Sequence, residues 1–198
     1  MYIVFSDKGC GLISGVGFGL QKNEHKERKM SITRQEAIDK LLRSYETYFN
    51  ITRFEEKDLP LTARCDFFEH SQKYVLSRKA ELWSANSEEF LYLFQMPNLT
   101  VTLFEQCKNQ AIEDGMRRMH VGPGHMYTFI TAVFVCEACD KEALKALKKS
   151  HLYKSFKFSL HGWMDYHNAI VTCSTNEIKS NYAGKSTAKI LKRVLFQK

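Results

Sequence analysis

The chain has 198 residues, 44% hydrophobic and 26% charged, with 14 Phe, 9 Tyr and 2 Trp; this supports one buried core, excludes the charge-dominated profile of disorder, and is too short for two domains of typical size. Six cysteines at 10, 65, 107, 136, 139 and 173 are too sparse for a disulfide scaffold, and no run approaches the roughly 20 apolar residues that span a bilayer, so a cytoplasmic setting without a membrane partner is expected. The net charge of +7 is uneven: residues 30–140 hold 12 Lys and Arg against 16 Asp and Glu, whereas residues 141–198 hold 12 against 3.

Residues 1–29 read as a non-native or disordered extension. Their glycines, from Gly9 to Gly19, interrupt any signal-peptide core and miss the spacing of a dinucleotide fingerprint, and Tyr2 stands where myristoylation needs glycine. Lys26-Glu27 can be encoded as a bacterial ribosome-binding sequence two codons before Met30, so Met30 is the expected start and 30–198 the single domain of a bacterial protein. Thr33-Arg34-Gln35-Glu36 is a capping box, and Ala37, Ile38, Leu41, Leu42, Tyr45, Tyr48 and Phe49 follow at helical spacing.

After Pro60 the pattern predicts strands over 61–69 and 73–83, a turn at Ser84-Ala85-Asn86-Ser87 and a strand over 89–95, whose five consecutive apolar residues imply burial on both faces. A long helix over 98–119, a strand over 126–136, a helix over 141–151, a strand over 153–161, a hairpin over 165–181 and a helix over 185–196 complete the chain. The fold class is α+β, a single domain with a mostly antiparallel sheet, strands 89–95 and 126–136 central, and helices packed on its face or faces.

The basic C-terminal third suggests a surface for an anionic partner, a nucleic acid or another polyanion, beside the plain reading of a solvated face that keeps the protein soluble. Lys185, Lys189, Lys192 and Arg193 recur at helical spacing opposite Ala188, Leu191, Val194 and Leu195. Lys157 lies between Phe156 and Phe158; with Lys154 these rings match part of the RNP1 pattern of RNA-recognition domains. In a strand over 153–161, Phe156, Phe158 and Leu160 are expected to point into the core, with Lys157 and His161 outside. Gly184-Lys185-Ser186-Thr187 echoes the end of a phosphate-binding loop, but Lys179 replaces its first glycine, and a Ser/Thr-containing helix cap is the expected reading.

Cys136 and Cys139 supply the alternative, a thiol- or metal-dependent enzyme. Their spacing, with a helix expected to open at Asp140, resembles the motif of thioredoxin-like proteins, which implies a thiolate activated at a helix N-terminus. No proline follows Pro123 to supply that family's cis-proline, and Glu137 and Asp140 oppose a thiolate. Further zinc ligands would come from His120, His125, His161, His167 and Cys173, none of them a second close pair; no metal and no cofactor is expected. The order helix, three strands, helix, strand across 33–136 resembles the PD-(D/E)XK nuclease core, which implies Mg²⁺ held by an Asp and a Glu-x-Lys. Asp66 is available, but Glu88-Glu89-Phe90 lacks the lysine, and Asp66, Glu69 and Glu81 read as solvent-side residues. The sequence thus favours a non-enzymatic accessory or binding protein with a basic C-terminal surface.

Overall fold

The computed structural model describes residues 31–74 and 81–197. The readings of 1–29 and of the middle of the 73–83 strand lie outside the described residues. Thr33 caps the first helix, α1 (Arg34–Tyr45), through the reciprocal bonds of a capping box. Then come β1 (Asn50–Arg53), a short turn of 3-10 helix, β2 (Leu61–Tyr74), β3 (Glu81–Leu99), α2 (Val101–Arg118), β4 (His125–Cys139), α3 (Lys141–Lys149), β5 (Tyr153–Ser155), β6 (Trp163–Thr172), β7 (Glu177–Ser180) and α4 (Lys185–Phe196). No helix among the described residues is long and apolar enough to cross a membrane.

The sheet runs β1-β2-β3-β4-β6-β5, with β7 also on β6. Its pairings are antiparallel except β3 with β4 and β4 with β6, which are parallel because α2 and α3 carry the chain back between them. The protein is an α+β domain with a mostly antiparallel sheet and helices on both faces. Alternation along the central strands builds two cores. On one face Phe90, Tyr92, Phe94, Ile130, Phe134, Met164 and Tyr166 pack beneath α2 and α3. On the other, Leu91, Leu93, Val133, Val135, Ala169 and Val171 pack beneath α1 and α4. Residues 90–94 are at most 2% exposed, as five consecutive apolar residues require.

Two expectations fail locally. Residues 84–87 are not a turn: β3 runs through them, because β2 continues opposite as far as Tyr74 and supplies ladder partners. The strand expected over 153–161 stops at Ser155. Lys157, Phe158 and Ser159 instead adopt left-handed φ values of 46°, 53° and 67°. Their turn is closed by bonds from Phe156 N to Gly162 O (2.9 Å), His161 N to Phe156 O (3.1 Å) and Leu160 N to Lys157 O (3.0 Å). Phe158 is 100% and Leu160 78% exposed, not inward. Gly162 ends the loop at φ 74°, where a Cβ would lie 2.5 Å from His125 Nδ1.

The edge of β6 is shared: β5 pairs with 163–165 and β7 with 169–172. Between them, Asn168 and Asn181 replace the ladder with side chains. Each backbone N–H donates to the other's Oδ1 at 3.1 Å, and Asn181 Nδ2 donates to Tyr166 O and Ser150 O, also at 3.1 Å. Asn168 Nδ2 donates to Leu147 O at 3.3 Å, tying in the end of α3.

Candidate functional site

The asparagine clasp sets where α4 begins. Gly184 N donates to Asn181 Oδ1 at 2.7 Å, and Gly184 serves as the N-cap without a side-chain bond, so the Ser/Thr cap read from the sequence is replaced by a glycine and a buried asparagine. Only glycine fits, since a Cβ would stand 2.2 Å from Asn168 O. From that start Thr187, Leu191 and Leu195 turn inward, with Ala188 and Val194 partly buried. Lys185, Lys189, Lys192 and Arg193 all stand exposed. None of these four cations forms an ion pair among the described residues. Lys185 instead lies 4.1 Å over the ring of Tyr182, itself 83% exposed.

Lys157 is exposed too, but on the left-handed loop. That loop enters β6 at Trp163, five residues before Asn168, so roughly 17 Å of strand separates it from the start of α4. The structure thus gathers four of the five cations singled out in the sequence on one helix and leaves Lys157 at the far end of β6.

Cys136 and Cys139 end β4, and α3 opens directly after them with Asp140 at its N-cap, as the spacing predicted. The parallel ladder continues to Leu99 opposite Cys139, so both lie within β4. Cys136 is buried, its Sγ donating to Val171 O at 3.7 Å, and burial pushes its thiol up to about 12. Cys139 is also shifted upward, by burial first and then by Asp140. Both shifts oppose the thiolate that redox or nucleophilic chemistry requires. Asp140 takes the N-cap position of α3 without a capping bond, accepting from Asn98 Nδ2 at 3.0 Å instead. Among the described residues no group of three or more His, Cys, Asp or Glu is placed to hold a metal.

A polar network that the sequence did not announce lies under the C-terminal end of α2. Asp66 is buried rather than solvent-facing; it accepts from Arg64 Nε at 3.1 Å and from Arg118 at 2.6 Å. Asp114 accepts from Tyr92 Oη at 2.9 Å and pairs with Arg64 and Arg117. Two residues before Phe90 on β3, buried Glu88 accepts from His120 Nδ1 at 2.7 Å and from Thr128 at 3.1 Å. Asp66 and Glu88 therefore share a face of adjacent strands, as in the nuclease core, but Phe90 occupies the lysine position and two arginines already hold Asp66. The alternation of β2 pairs Arg64 with Asp66 locally, but gave no sign of the burial, because the second partner, Arg118, comes from a helix 52 residues later.

The other sheet face carries a second feature. Beyond the apolar cluster under α1 and α4, rings of Tyr127 and Phe129 (centroids 4.7 Å apart), Trp163 (5.4 Å from Tyr127), Tyr153 (5.8 Å from Trp163) and His167 (4.4 Å from Phe129) form a continuous strip across β4, β6 and β5. The first three are partly buried and Tyr153 is 50% exposed. At its floor Glu89 accepts from Thr131 Oγ1 at 2.8 Å, and burial raises its carboxyl pKa. Asp165 lies 3.6 Å from His167 Nε2, whose pKa burial lowers.

Architecture and surfaces alike define a three-layer α+β domain with a polar network on one face and an aromatic strip beside a basic helix on the other. The chain belongs to the family described as Domain of unknown function (DUF8052), whose model matches residues 33–193. No curated protein and no solved structure matches it.

Proposed function

We propose that this chain is a non-enzymatic binding protein whose α4 surface holds the phosphate backbone of a nucleic acid. The observation that carries the reading is the row of four exposed cations on one face of α4. Arg64, Arg117 and Arg118 are all held by carboxylates, whereas Lys185, Lys189, Lys192 and Arg193 stand on one helix face with no ion pair among the described residues. A row of unneutralised cations at helical spacing costs self-repulsion, and a polyanion relieves it. The upward-shifted thiols of Cys136 and Cys139 further weaken a thiol enzyme as the alternative.

Oligonucleotide binding measured across a salt series tests this. Affinity is expected to fall steeply with salt, and the triple reversal Lys189→Glu, Lys192→Glu, Arg193→Glu is expected to flatten the slope by about one unit for each phosphate that is no longer neutralised. Unchanged binding in that variant, or none by the wild type at low salt, refutes the assignment.

A further inference from the structure

We infer that the aromatic strip of Tyr127, Phe129, Trp163 and Tyr153 is a stacking platform that makes the partner a single-stranded nucleic acid; this rests on the reading of α4 as the phosphate-binding element. Three observations carry it. The rings lie on one sheet face in a chain of neighbours with centroids between 4.7 and 5.8 Å apart, close to one another yet outside the core beneath the helices. Rings of this kind are what unpaired bases stack on, while bases stacked within a duplex are not free to do so.

The second observation is the placement of charge at both ends. Asn168, next to His167 on β6, bonds to Asn181, which in turn holds Gly184, so α4 with its Lys185 begins beside the strand that carries Trp163 and His167. At the other end Gly162 joins Trp163 to the loop carrying exposed Lys157 and Phe158. Cations at each end of a ring row suit a strand whose phosphates alternate with bases. The third is that Glu89, the carboxylate at the floor of the strip, is biased toward its neutral form by burial, which lessens its repulsion of a phosphate. The left-handed turn then has a use, since three strained residues hold Phe158 fully out in solvent at the end of the strip.

The test uses the full chain with a 15-nucleotide oligo-dT and a 15-base-pair duplex at low salt, reading affinity and intrinsic tryptophan fluorescence. The single strand is expected to bind more tightly than the duplex and to quench the emission, and Trp163→Leu to remove the quench and weaken binding at least tenfold. Trp163→Phe is expected to restore most of the affinity, which a merely structural role for the indole would not require. Tyr153→Ala, at an exposed ring, repeats the test should Trp163→Leu disturb folding. Single-strand binding that survives Trp163→Leu and Tyr153→Ala but falls with the α4 reversals overturns the platform and leaves the α4 reading intact, as does a preference for duplex. No binding of either oligonucleotide overturns both.

Discussion

Asn181 joins β6, the end of α3 and the start of α4 through a single side chain. It is 2% exposed, and its side chain satisfies Asn168 N, Gly184 N, Tyr166 O and Ser150 O. Leucine is a side chain of similar reach with none of these bonds. Each buried backbone group left unpaired costs about 1–3 kcal/mol, so Asn181→Leu is expected to destabilise the domain by at least about 3 kcal/mol in urea unfolding, with α4 losing its register on β6. Glu89 predicts the opposite sign. Its folded pKa lies above the ordinary value of 4.5, so the folded state binds the proton more tightly, and stability falls as pH rises from that value through the raised one. Glu89→Gln keeps an acceptor for Thr131 and discards the buried charge. It is expected to melt higher than wild type at pH 7, with the two melting temperatures converging below the ordinary carboxyl range; a lower melting temperature at pH 7 would contradict the burial argument.

Among the elements, helices were the most legible. The capping box of α1 and the stripe of α4 follow from local chemistry, and α4 occupies 185–196 as its periodicity required. The loop after β5 was not legible, since alternating Phe156, Phe158 and Leu160 reads as a strand. What overrode the pattern is tertiary: β5 pairs with only three residues of β6, and beyond Ser155 no partner continues the ladder among the described residues. A left-handed conformation costs an L-residue about 1–2 kcal/mol, whereas glycine adopts it freely and loses about 0.5–1 kcal/mol in chain entropy. Phe158 has no packing to lose at 100% exposure. Phe158→Gly is therefore expected to stabilise the domain by about 0.5–1 kcal/mol, a rise in melting temperature of about 1–4 °C. A fall would mean that the turn is not strained.

For the molecule as a whole, the fold class was readable because period-2 and period-3.6 patterns separate along most of the chain. The centrality of β3 and β4 was readable from their doubly buried runs. The candidate sites were only half readable. The cations of α4 announce themselves by spacing within one element, but the strip joins Tyr127, Trp163 and Tyr153 from three strands, and the Asp66 network joins two strands to a helix end. Such groupings depend on register, which no single segment encodes. The shared edge of β6 has a further consequence, for solubility. A long open flank of β6 would invite a second chain to add to the sheet, yet here it is divided among three residues of β5, the asparagine clasp and four residues of β7. Pieces that short offer a neighbouring molecule too few consecutive amides and carbonyls to pair with, so this flank resists edge-to-edge aggregation even though Tyr166 to Val171 of β6 is buried and largely apolar.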